Sequence, residues 1–181
     1  MKFTETSLPG VILVTLDLYR DNRGAFCETW NQRVFSEAGL PTTWVQDNYS
    51  WSVKNVVRAF HYQVFQPQAK LVRVTHGAAV DVAVDLRRSS RTFGHHVAVE
   101  LTAEKSQVLY IPVGFGNGLL ALSAGVGFAF KVTDYYCSEA ERTILWNDPD
   151  LAIGWPVKEE DAILAERDRN GTSLCTAEVF S

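Results

Sequence analysis

Apolar and polar residues alternate with a period of two along most of this chain, the signature of β-strands that bury one face. The alternation predicts strands over Gly10 to Leu18, Ala25 to Trp30, Thr42 to Ser52, Val56 to Gln63, Lys70 to Thr75, Ala79 to Leu86, His96 to Leu101, Gln107 to Ile111, Leu119 to Leu122 and Val126 to Val132. Helical signals are confined to two short segments. Asn31 to Gly39 reads as a helix closed by Gly39, with Pro41 beyond it, and Glu160 to Arg167 as a second one broken by Asn170-Gly171. Asp21-Asn22-Arg23-Gly24, Gln66-Pro67-Gln68-Ala69 and His76-Gly77 read as turns or loops, and Gly114 to Gly118 as a glycine-rich tight turn between strands. Many short strands with little helix predict an antiparallel sandwich or barrel.

Composition narrows the class. A length of 181 residues suits one domain spanning 1–181, and an apolar share of 46% argues for an ordered core. A net charge of -4 argues against nucleic-acid and membrane-surface partners. No apolar run approaches the length of a bilayer span, and Met1 to Thr6 lacks a signal-peptide core, so a cytoplasmic protein is expected. Cys27, Cys137 and Cys175 form an odd set without C-x-x-C spacing, which predicts reduced thiols.

Candidate chemistry concentrates on Val56 to Gln63. This stretch holds His61, a side chain that exchanges protons near neutral pH, and Arg58, a side chain shaped to grip phosphate. In a regular strand Val57, Ala59, His61 and Gln63 share one face, and Arg58, Phe60 and Tyr62 the other. Arg58 and His61 therefore serve one site only if the chain bulges between them, with Ala59 the expected position. Otherwise His61 is a core histidine and Arg58 a surface residue. His95 and His96 are adjacent and point to opposite faces of a strand, while His61 and His76 stand alone, so no local metal site is predicted. Phosphate-loop, dinucleotide and nucleophile-elbow motifs are absent. Arg20, Arg23, Gln46, Asn48, Arg58, Lys70 and Arg73 are scattered along strands; singly each reads as solvated, and together with His61 they suit a ligand bearing phosphates inside a barrel.

Several motifs then coincide. Asp21-Asn22-Arg23-Gly24-Ala25-Phe26-Cys27-Glu28, Gln46-Asp47-Asn48, Arg58 with His61-Tyr62-Gln63, Lys70-Leu71-Val72-Arg73, Asp81-Val82-Ala83-Val84-Asp85-Leu86-Arg87, Pro112 with Gly114-Phe115, and Trp146-Asn147-Asp148-Pro149 follow in this order over nearly the whole length. In them the chain resembles the dTDP-4-dehydrorhamnose 3,5-epimerases of nucleotide-sugar biosynthesis. The resemblance implies an all-β, cupin-type jelly roll that forms a homodimer. It also implies a nucleotide-diphosphate-linked 4-keto-6-deoxyhexose as substrate, with neither metal nor cofactor. In such chemistry a histidine removes the proton beside the 4-keto group, donors hold the oxyanion, and a tyrosine on the opposite face supplies the new proton. Carried over, His61 is the base, Asp168 orients and charges it, and Lys70 lies near the keto oxygen. Arg23 and Arg58 hold the substrate and its diphosphate. Phe26, Glu28, Gln46 and Asn48 bind the nucleoside, some of them in the neighbouring subunit.

Three positions depart from the family pattern. Ala59 stands where glycine is usual, at the expected bend, and is expected to alter the pocket. Asn117 replaces a histidine and can donate a hydrogen bond without carrying charge. Phe130, in Phe128-Ala129-Phe130-Lys131, replaces the proton-donating tyrosine. The expectation is an epimerase of altered scope, working at carbon 3, carbon 5 or both; the alternative is a nucleotide-sugar binding protein that inverts nothing.

Overall fold

The computed structural model describes residues 1–181. Its strands are β1 (Lys2–Glu5), β2 (Ile12–Thr15), β3 (Leu18–Asp21), β4 (Gly24–Cys27), β5 (Gln46–Val53), β6 (Val56–Gln63), β7 (Lys70–His76), β8 (Ala78–Asp85), β9 (His96–Thr102), β10 (Gln107–Ile111), β11 (Phe115–Ala121), β12 (Gly125–Val132), β13 (Glu141–Thr143) and β14 (Ile163–Leu164). Two short helices, α1 (Gln32–Glu37) and α2 (Glu166–Arg169), complete it. One sheet runs β1-β2-β10-β7-β12-β5; the other runs β13-β6-β11-β8-β9, with β14 added in parallel to β6; β3 and β4 form a separate hairpin. The main ladders are antiparallel, so the architecture is the jelly-roll type expected.

Three apolar clusters account for the alternation. Val72, Val74, Ala79, Ala83, Leu119 and Phe128 meet between the sheets. Val57, Val82, Val84 and Leu86 face outward from the second sheet but are covered by Ile144, Trp146 and the C-terminal segment. Phe35 of α1 covers the outer face of the first sheet, beside Val14, Leu71 and Val108. The helix begins where Asn31 accepts hydrogen bonds from the backbone N–H of Arg33 and Val34, and Gly39 leaves it at φ 72°.

Several elements differ from the sequence expectation. Gly10 to Leu18 is not one strand: β2 ends at Thr15 and β3 starts at Leu18. The predicted helix Glu160 to Arg167 is a 3-10 turn at Glu159–Asp161, then β14, then α2. Pairing of Ile163 and Leu164 with Val56 and Val57 overrides the local helical preference. Gly114 alone turns, at φ 94°, while Gly116, Asn117 and Gly118 belong to β11, buried along its whole length. Asp81 and Asp85 are fully buried. They share the strand face of Ala79 and Ala83, which is the interior between the sheets, so the polar side of this strand points inward. Asp85 is satisfied there by Arg87, Ser90 and Thr92. Burial alone would raise its pKa, but these donors together bring it down to about 2.

The bulge in β6 exists. Asn117 of β11 pairs with His61, and Leu119 with Arg58, so three steps on β6 oppose two on β11. Val57, Ala59, Phe60 and Tyr62 all fall in the outer cluster as a result. Ala59 therefore puts its methyl into that cluster and not into a cavity. Gly118 lies against the bulge: a Cβ there would stand 2.8 Å from Ala59 Cβ and 2.6 Å from Phe60 Cε1. Gly118→Ala should lower stability by about 1–3 kcal/mol, the usual range for overpacking, and should do so in urea unfolding through the midpoint with an unchanged slope.

Candidate active site

The bulge brings Arg58 and His61 to one wall of an inner chamber of about 150 Å³, closed on the far side by Phe128 and Phe130 of β12. An outer chamber of about 380 Å³ continues from it past His61, Lys70 and Phe130 to Gln46, Asn48 and Tyr136. Most of this wall is polar and convergent, the usual build of a ligand site.

His61 is fixed from behind. Its Nε2 lies 2.5 Å from Asp168 Oδ1, and Asp168 is 1% exposed. A carboxylate so buried is tolerable because the imidazole N–H donates to it. With Nε2 protonated, Nδ1 carries the lone pair and is the basic nitrogen. Asp168 reaches this position because β14 docks on β6 and α2 follows at once.

Lys70 opens β7 on the facing sheet, and its Nζ donates to the His61 carbonyl oxygen at 3.0 Å. Burial lowers its pKa to about 8, against the opposing pull of Asp81 and Glu141. Asp81 lies behind the chamber. Burial raises its pKa to about 8, opposed by Lys70 and by the hydrogen bond from Asn117. Asn117 Nδ2 donates to Asp81 Oδ1 at 2.8 Å, while Oδ2 has no partner. Arg58 is aimed by bonds from Nε to Ser52 Oγ, at 3.1 Å, and from Nη2 to the Trp51 carbonyl. Gln46 donates to Asn48 at 2.7 Å, which ties two amides of β5 together at the outer chamber.

The sequence-predicted residues thus divide. His61, Asp168, Lys70, Arg58, Gln46, Asn48, Asn117 and Phe130 gather around the two chambers. Arg23, Phe26 and Glu28 do not. Arg23 and Phe26 lie on the β3–β4 hairpin, where Arg23 pairs with Asp21 and Phe26 is 69% exposed. Glu28 follows the hairpin and accepts from Asn31.

The family model described as dTDP-4-dehydrorhamnose 3,5-epimerase matches residues 5–176. The chain belongs to this epimerase family. A dTDP-4-dehydrorhamnose 3,5-epimerase of Pseudomonas aeruginosa is 47% identical over 181 residues, 99% of each chain. Among solved structures, an epimerase from Legionella pneumophila in complex with dTDP-4-keto-L-rhamnose superposes with a TM-score of 0.95 at 40% identity, covering 98% of this chain and 94% of that one. A 3'-monoepimerase from Streptomyces bikiniensis in complex with dTDP-quinovose gives 0.89 at 31% identity, covering 94% and 87%.

This epimerase-family chain also holds polar groups at the site that the sequence reading left without a role. Asp81 is one; its sequence signals were its alternation with valines in a central strand and its place at the head of the Asp81–Arg87 motif. Arg167 borders both chambers and pairs with Glu141 at 3.2 Å. Tyr136 donates its hydroxyl to Glu141 at 3.1 Å, and that carboxylate raises the phenol pKa. Nothing local in the sequence links Tyr136, Glu141 and Arg167. No helix is long and apolar enough to cross a membrane, and no group of three or more His, Cys, Asp or Glu side chains converges in a way that could hold a metal.

Proposed function

We propose that this member of the family inverts carbon 3, carbon 5 or both of a dTDP-linked 4-keto-6-deoxyhexose, with its scope altered by Phe130 and Asn117. The single observation behind the reading is the His61–Asp168 pair at the wall of a chamber that also holds Lys70 and Arg58. His61 Nδ1 takes the proton beside the 4-keto group, and Asp168 stabilises the imidazolium that forms. Lys70 faces the developing oxyanion as a charged donor, and Arg58 binds the substrate and its diphosphate. Gln46 and Asn48 bind toward the nucleoside. The reading predicts that a dTDP-4-keto-6-deoxyhexose in deuterated water gains deuterium at carbon 3 or carbon 5, followed by NMR. Deuterium at neither carbon, with any nucleotide-linked keto sugar offered, removes the reading.

The relative described as a 3'-monoepimerase supports inversion at a single carbon. Phe130 favours the competing reading, binding without inversion, because it removes an acidic hydroxyl from the chamber; that reading predicts tight dTDP binding without exchange.

Arg23, Phe26 and Glu28 serve the neighbouring subunit of a homodimer. The exposure of Tyr19 and Phe26 on a projecting hairpin, and of Tyr49, Trp51 and Val53 on the edge strand β5, supports this. Sedimentation of the intact protein then gives twice the 20.2 kDa of one chain; a monomer mass would remove the arrangement.

A further inference from the structure

Inversion needs a second proton, delivered to the carbon from the face opposite the base. Phe130 has none to give. Among the other groups of the inner chamber, Ser50 and Asn117 do not titrate near neutral pH, and Arg58 and Arg167 do not release their protons. His61 is already the base. That leaves Lys70.

Its position suits the task. Val132 of β12 pairs with Lys70, and Phe130 with Val72. Paired residues of adjacent strands share a face, so Lys70 and Phe130 project into the chamber from the same sheet, diagonal neighbours across one ladder. His61 projects from the facing sheet. We propose that Lys70 is the acid of this chain, delivering the inverting proton from the sheet where Phe130 offers none. The inference rests on the epimerase reading above and names the group that completes it.

The step balances without any co-reactant. His61 Nδ1 accepts the carbon-bound proton, and the bonding pair moves into the enolate. The enolate pair then takes a proton from Lys70 Nζ on the other face, the carbonyl reforms, and Lys70 is left as a neutral amine. Solvent removes the proton from His61 and returns one to Lys70. Burial tunes the ammonium to about 8, within the range where a general acid both holds and releases its proton. The charged and titratable groups around it are Asp81 from β8, Glu141 from β13, Arg58, His61 and Tyr62 from β6, Arg167 from α2, and Tyr136 from the segment after β12.

Lys70→Arg keeps a positive charge for the oxyanion but cannot release a proton at neutral pH. The quantity to read is the ratio of inversion to deuterium exchange on a dTDP-4-keto-6-deoxyhexose, since His61 alone can return deuterium to its own face. In Lys70→Arg this ratio should fall about 100-fold or more, the usual cost of a lost general acid, and adding Phe130→Tyr should restore it. A ratio equal to that of the natural chain overturns the proposal. So does a ratio lost instead in Tyr136→Phe, which would make the outer phenol the acid. A second measurement needs no Lys70 variant. In the natural chain the ratio should fall as pH rises through about 8, because Lys70 loses its proton there. A ratio flat across that range overturns the assignment. Absence of exchange altogether is a different result: it removes His61 as base, not Lys70 as acid.

Discussion

Replacing His61 by asparagine is expected to lower both deuterium exchange and inversion by about 100- to 10,000-fold, the range for a positioned general base. Asparagine is the informative choice. Its amide is polar and smaller than the imidazole, so the place beside the buried Asp168 carboxylate is neither emptied nor made apolar, as it would be in an alanine variant. A loss in the asparagine variant with folding intact therefore reports lost basicity. The check is NMR exchange on a dTDP-4-keto-6-deoxyhexose, with a thermal unfolding scan beside it. Exchange at the natural rate in the variant would move the base elsewhere, and Glu141 and Tyr136, which line the outer chamber with His61, would then be the groups to examine.

Phe130→Tyr should act in the opposite direction. The Phe130 ring borders both chambers and is only partly buried, so a hydroxyl added to it has a polar cavity beside it. A positioned acid is worth about 100- to 10,000-fold, and since Lys70 already supplies part of that, a rise of at least about tenfold in inversion is expected. Extension to a second carbon is the accompanying outcome. The product distribution by NMR decides it, and an unchanged rate with an unchanged product pattern would count against the whole account of this position.

The sequence was most informative where one residue type has one cause. Alternation along Ala79 to Leu86 marked a strand, and the parity of Arg58 and His61 made a shared site conditional on a bulge, which β6 has. It misled where tertiary pairing decides the outcome. Glu160 to Arg167 has the composition of a helix, yet β14 forms there because an edge of β6 is open to it. Gly116 and Gly118 resemble turn residues, yet they lie in a central strand because Leu86, Phe60 and Ala59 press against them. Asp81 was legible as a position and not as a buried group, since alternation alone does not say which of two covered faces is the wet one. The convergence of Tyr136, Glu141 and Arg167 comes only from the fold.

The carboxylate that steadies His61 follows it by 107 residues, on a helix held by two residues of parallel pairing to β6. A ribosome therefore finishes the barrel walls, the bulge and the imidazole well before it makes their counter-charge. On the proposed mechanism the nascent protein stays inert toward keto sugars until β14 and α2 have emerged and docked on β6.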